Sequence, residues 1–154
     1  MNKKNSIYLI LSILIAIGFG GIGALLGGSM SLFDNLLKPS FAPPAMLFPI
    51  VWVILYILMG ISAFYIYQSD SKYKKTSLML YFIQLVFNAI WSMIFFRFQN
   101  FLFAFVWLLI LLALVILMQI YFYKTNKLAF YLQIPYVLWL VFALILNYSV
   151  YMLN

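Results

Sequence analysis

Charge is confined to eleven positions in this 154-residue chain, and the gaps between them dictate the architecture. Five uncharged stretches result: Asn5 to Phe33, Pro39 to Ser69, Thr76 to Phe96, Phe98 to Tyr123 and Leu128 to Asn154. The shortest, at 21 residues, reaches about 31 Å as an α-helix, enough for roughly 30 Å of hydrocarbon. The runs are continuously apolar rather than alternating, and backbone amides cannot stay unpaired in lipid. They therefore read as helices and not as barrel strands. The expected fold is an all-α membrane protein, a five-transmembrane-helix bundle forming a single domain over residues 1–154, with spans near 6–27, 46–68, 77–97, 102–123 and 129–152.

One connection is long, 28–45, where Asp34, Lys38, Pro39, Pro43 and Pro44 oppose continued helix. The other connections are short, so neighbouring spans run antiparallel. The amino terminus and the second and fourth loops carry Lys3, Lys4, Lys72, Lys74, Lys75, Lys124 and Lys127, against Lys38 and Arg97 on the opposite side. This bias places the amino terminus in the cytoplasm and the long loop outside, in a bacterial inner (cytoplasmic) membrane. Two lysines ahead of an apolar run also suit a signal peptide, but the run exceeds the usual h-region, which favours an uncleaved first span.

Composition removes most chemistry. With 68% hydrophobic and 7% charged residues there is little polar surface for nucleic acid, despite a net charge of +7. The absence of cysteine and histidine removes thiolate nucleophiles, imidazole bases and the usual metal ligands. The two acids, Asp34 and Asp70, lie outside the apolar runs, so no paired-carboxylate mechanism is available. No conventional catalytic constellation remains, and no cofactor is required.

Periodicity organises the few polar and aromatic groups. Gln84, Asn88, Trp91 and Phe95 share one face of the third span. Trp52, Tyr56, Met59 and Ala63 share one face of the second, and Trp139, Ala143 and Asn147 one face of the fifth. Interhelical packing alone accounts for such faces. Their depths also let them converge in the outer half of the bundle around an apolar, π-rich cavity beneath the long loop, suited to a planar hydrophobic ligand. Lys38 and Arg97 lie on that side, as flanking charges or as partners for a ligand's carboxylates. Gly23-x-x-x-Gly27 permits a close helix approach within the chain or between copies, with packing inside the chain favoured. Pro135 predicts a kink in the fifth span.

Four segments carry a family resemblance: Lys38-Pro39-Ser40-Phe41-Ala42-Pro43-Pro44; Trp52-x-x-Leu55-Tyr56-x-x-Met59-Gly60; Asn88-x-x-Trp91-Ser92-x-x-Phe95-Phe96; and Pro135-Tyr136-x-x-Trp139-x-x-Phe142-Ala143-x-x-Leu146-Asn147. In order and on five spans, they resemble the translocator protein family, also called tryptophan-rich sensory proteins (TspO/MBR) and peripheral benzodiazepine receptors. The resemblance implies a bundle that is often a homodimer, sits in membrane lipid, and holds porphyrins such as protoporphyrin IX or haem in a cavity near the long loop. Isoquinoline carboxamide and benzodiazepine drugs, and cholesterol in mammalian members, are further ligands of the family. By the same match Trp52 and Trp139 line the cavity, and Asn88, Trp91, Ser92 and Ala143 touch ligand. Phe33, Pro43 and Tyr56 complete the candidate set. In some bacterial relatives the two tryptophans are linked to light-dependent porphyrin breakdown, so Trp52 and Trp139 are catalytic candidates only if the function is photochemical.

The chain departs from the family pattern in three places. Leu32-Phe33-Asp34 and Phe41 stand where relatives commonly carry loop tryptophans, and Trp107 replaces an acid often found in the fourth span. No Lys or Arg follows Tyr148, which leaves the proposed cholesterol pattern incomplete there. The functional expectation is a membrane receptor or regulator that binds tetrapyrroles. Porphyrin photodegradation and facilitated tetrapyrrole or lipid transport are its alternatives.

Overall fold

The computed structural model describes residues 3–28 and 31–154. The expected long connection therefore includes two positions, 29 and 30, that lie outside the described residues. The described residues hold eight helical segments, and all but the short second one build five spans. The segments are α1 (Lys3–Gly27), the short α2 (Ser31–Asp34), α3 (Leu47–Gln68), α4 (Lys74–Ser92) continuing into a π-helical turn (Met93–Arg97), α5 (Phe101–Thr125), α6 (Lys127–Leu132) and α7 (Ile134–Leu153). Five stretches, with α6 and α7 forming the last, are long and apolar enough to cross a membrane. Their ends lie within three residues of the span limits read from the sequence.

Local chemistry explains the boundaries. Asn100 caps α5 by accepting the Phe103 amide at 3.1 Å, and Asn126 caps α6 by accepting that of Ala129 at 3.1 Å. The kink expected from Pro135 is a full break at Gln133, which places Pro135 in the first turn of α7, where its missing N–H is tolerated. The π-turn has no breaker residue to announce it. There Phe98 N–H reaches back five residues to the Met93 carbonyl at 3.1 Å.

The spans form a ring. α1 packs on α3 and α4, α4 on α5, α5 on α7, and α6 on α3. Closest approach is set by glycine. A Cβ at Gly60 would lie 2.8 Å from Ile13 N and 2.9 Å from Ser12 O, so the α1–α3 crossing needs hydrogen there. A Cβ at Gly23 would lie 3.2 Å from Ala89 Cα, and one at Gly27 3.2 Å from Ser92 O. The Gly23-x-x-x-Gly27 pair thus serves the α1–α4 contact inside the chain.

Both ends of the bundle are marked by polar contacts. Lys4, Lys72, Lys74, Lys124 and Lys127 each lie over a tyrosine ring, with ammonium-to-centroid distances from 4.8 to 6.0 Å. At the other end the Asn154 side chain accepts the Leu37 amide at 3.1 Å and donates to the Leu37 carbonyl at 2.9 Å, tying the carboxyl terminus to the long loop. Between the ends, side chains such as Ile10, Leu14, Ile54, Ile110 and Leu138 are exposed, an apolar exterior that requires lipid.

Candidate functional site

The predicted aromatic faces meet. The Trp52 ring lies 6.4 Å from that of Trp139 at 87°, and Phe48 lies edge-on to Trp139 at 5.9 Å. Trp52 stacks on Tyr56 at 5.6 Å, one turn further along the same helix face. From α2, Phe33 meets Phe48 edge-on at 5.1 Å and is itself buried. Trp91 stacks on Phe95 at 5.3 Å and meets the edge of Phe96 at 6.1 Å. Phe95 and Phe96 both belong to the π-turn, and both border a crevice beside Trp139.

Some of these rings border a partly open cavity of about 160 Å³, walled by Phe48, Trp52, Tyr56, Trp91, Ser92 and Phe96 and floored by Gly20, Gly23 and Gly27 of α1. A crevice of about 20 Å³ adjoins it, lined by Phe33, Trp139, Ala143 and Asn147 and sharing Phe48, Trp52, Trp91 and Phe96 with the larger space. Glycine matters twice here: the residues that let α1 approach α4 also leave space unfilled, and a Cβ at Gly20 would run into the Tyr56 ring. This volume is below the 300–1,000 Å³ typical of small-molecule sites, so a large occupant enters only if side chains swing aside.

Seven of the nine ligand candidates border this space: Phe33, Trp52, Tyr56, Trp91, Ser92, Trp139 and Ala143. Two do not. Asn88 is buried below it and donates from Nδ2 to the Tyr56 hydroxyl at 3.3 Å, so Tyr56 stands between the amide and the cavity. Pro43 lies in the loop and lines neither space. Lys38 is occupied as well. Its Nζ donates to the carbonyls of Phe33 at 3.1 Å and Asp34 at 3.2 Å, closing the end of α2, while Arg97 is exposed at the end of the π-turn.

Sequence reasoning missed Phe48, Phe96 and the glycine floor as cavity elements. Phe48 precedes Trp52 by four residues and shares its face, a signal that periodicity carries. The glycines were legible only as packing residues.

Polar satisfaction distinguishes the tryptophans. Trp91 donates its indole N–H to Asn147 Oδ1 at 3.3 Å, and Trp107 donates to the Phe87 carbonyl at 2.8 Å. The indole nitrogen of Trp139 is buried with no partner. A buried donor left unpaired costs free energy unless something supplies an acceptor. Deeper in the bundle Tyr136 donates to Gln84 Oε1 at 2.8 Å, continuing the polar seam below Asn88. Among the described residues no three His, Cys, Asp or Glu side chains come together as a metal site.

Comparison with known proteins accords with this geometry. The TspO/MBR family model matches residues 10–153. The chain is similar to the tryptophan-rich protein TspO of Archaeoglobus fulgidus, 37% identical over 97% of this chain and 99% of that protein. It is also similar to the tryptophan-rich protein TspO of Chlorobaculum tepidum, 33% identical over 100% and 99%. The translocator protein of Sus scrofa is 30% identical over 87% of this chain and 81% of its own. With five membrane-spanning helices and a match over nearly its whole length, the chain belongs to the TspO/MBR family of integral membrane proteins.

Proposed function

We propose that this protein is a membrane receptor or regulator that binds planar hydrophobic ligands, tetrapyrroles such as protoporphyrin IX or haem foremost, between α1, α3, α4 and α7. The observation that carries the reading is the contact of Trp52 with Trp139 beside a cavity floored by glycine. Flat π surfaces attract a flat conjugated ring, and the glycine floor leaves room into which Tyr56 and Phe96 can yield. The unpaired Trp139 N–H supplies a donor for a ligand acceptor. A relative named tryptophan-rich sensory protein is in keeping with a receptor role, and the name translocator protein with the transport alternative.

The test is a titration of the detergent-solubilised protein with protoporphyrin IX, read as quenching of tryptophan fluorescence. Saturable quenching that weakens at least tenfold in Trp52→Phe/Trp139→Phe is expected; linear, unsaturable quenching in the wild type refutes the reading. Light-dependent porphyrin breakdown is a second reading, favoured by the two indoles meeting at one wall, and it is tested by illuminating the complex. Porphyrin absorbance then falls faster than with free tryptophan in the same detergent, or the protein binds without turnover. Active ion-coupled transport lacks support: among the described residues the buried polar side chains are Ser, Gln and Asn, and none carries charge.

A further inference from the structure

A second recess lies away from the aromatic cavity, on the outer face of the bundle toward its lysine-rich end. The break at Gln133 lets α6 turn onto α3, where Ser62 donates to the Ala129 carbonyl at 2.7 Å, while α7 continues alongside α5. Between α5 and the α6–α7 elbow this leaves a groove of about 440 Å³, larger than the aromatic cavity. Its length is apolar, with Ile120, Ile134 and Val137 among its walls, and its mouth is formed by Tyr123 and Lys124.

Two features make this more than an apolar gap. Cations stand near the mouth: Lys127 Nζ lies 5.6 Å from the ring of Tyr123, which lines the groove, and Lys124, itself part of the lining, holds its Nζ 5.6 Å from the rings of both Tyr121 and Tyr73. Neither has a carboxylate partner; among the described residues the single ion pair, Lys38 with Asp34, is in the long loop. Inside the groove, Gln119 is only 7% exposed. Its Nε2 donates to the Phe130 carbonyl at 3.3 Å, whereas its Oε1 is buried without a partner. This unpaired acceptor lies about 7–8 Å deeper along α5 than Lys124 and would be satisfied by a donor from an occupant or from water that enters with its head group.

We propose that this groove is a specific site for an anionic glycerophospholipid. One acyl chain lies along Ile120, Ile134 and Val137, the phosphate sits between Lys124 and Lys127, and the hydrated head region reaches Gln119. Charge decides the lipid class. A head group with net negative charge complements two unpaired ammonium groups, while phosphatidylcholine brings a quaternary cation toward them. The site shares no residue with the aromatic cavity, so it stands whether or not a tetrapyrrole binds there.

The experiment uses the whole chain in detergent, with phosphatidylglycerol and phosphatidylcholine of identical acyl chains, and reads retained lipid by native mass spectrometry. Phosphatidylglycerol is expected to be retained at least fivefold better. Lys124→Gln/Lys127→Gln brings it down to the phosphatidylcholine level, while Lys3→Gln/Lys75→Gln, which removes equal charge from exposed positions, leaves it unchanged. Ile120→Trp, which fills the groove and keeps the charge, also lowers retention. Equal retention of the two lipids, equal losses from the two lysine pairs, or indifference to Ile120→Trp overturns the proposal.

Discussion

Trp91 and Asn147 are joined across the bundle by an indole N–H to amide oxygen bond of 3.3 Å, and the same amide donates from Nδ2 to the Phe101 carbonyl at 2.9 Å. One side chain of α7 thereby links α4 to the start of α5 behind the aromatic cavity. Both Trp91 and Asn147 are buried, so water cannot replace what either loses. Asn147→Leu should therefore destabilise the protein by about 1–2 kcal/mol, within the range for a buried donor left unpaired. The double variant Trp91→Phe/Asn147→Leu should cost less than the sum of the single changes, because it removes both partners together. Thermal unfolding in detergent across the four proteins measures this coupling, and strict additivity would show the bond to be idle.

Trp139 behaves oppositely. Its indole nitrogen is buried without a partner, so Trp139→Phe removes an unsatisfied donor while retaining an aromatic ring against Trp52 and Phe48. The unfolding temperature should hold or rise, even as protoporphyrin affinity falls. That separation of stability from binding distinguishes a ligand-facing indole from a packing one. A fall in stability of about 1 kcal/mol or more, with affinity intact, would assign Trp139 to packing.

Much of this arrangement is legible in the sequence because lipid imposes so few solutions. Charge gaps locate five spans, since an ion within hydrocarbon is costly and a helix alone satisfies its own backbone. Helical spacing likewise places Trp52, Trp91 and Trp139 toward a common interior. What it does not reveal depends on contacts between distant residues. Asn88 lies on the same face as Trp91, yet the Tyr56 hydroxyl takes its amide and shields it from the cavity. Lys38 reads as a free cation near the site until its ammonium is seen to close the end of α2. Met93–Arg97 contains neither Gly nor Pro, so nothing local announces the π-turn, whose Phe95 and Phe96 both border the crevice. The expected cavity's small volume is not legible, because volume is set by how rings from four helices interlock and not by any one helix face.

Trp107 shows how an indole within a span is satisfied. It stacks on Phe87 with ring centres 4.7 Å apart at 17°, and its N–H reaches the Phe87 carbonyl at 2.8 Å. The indole thus clamps α5 to α4 by both faces of its chemistry. Trp107→Phe keeps most of the stack and loses the hydrogen bond, so a cost of about 0.5–1.5 kcal/mol is expected. Trp107→Ala, which loses both, should cost about 3 kcal/mol or more. Equal effects in thermal unfolding would show that the ring contributes nothing beyond its donor.

Gly60 gives the sharpest steric test. It sits where α1 crosses α3, and an added methyl would press on the α1 backbone at Ile13 N and Ser12 O, which a flexible side chain cannot relieve. Gly60→Ala should therefore push the helices apart and cost about 1–3 kcal/mol, outweighing the roughly 1 kcal/mol that Ala otherwise gains over Gly within a helix. Gly18 and Gly21 lie on the same first helix with open space where a Cβ would go. There Gly→Ala should leave stability unchanged or raise it by up to about 1 kcal/mol per site. Because α1 also floors the aromatic cavity, displacement at Gly60 should weaken protoporphyrin binding, whereas the Gly18 and Gly21 variants should bind as the wild type does. Thermal unfolding and fluorescence titration of the three single variants decide the matter: a Gly60→Ala protein as stable as the wild type would mean that the α1–α3 crossing is looser than these distances require.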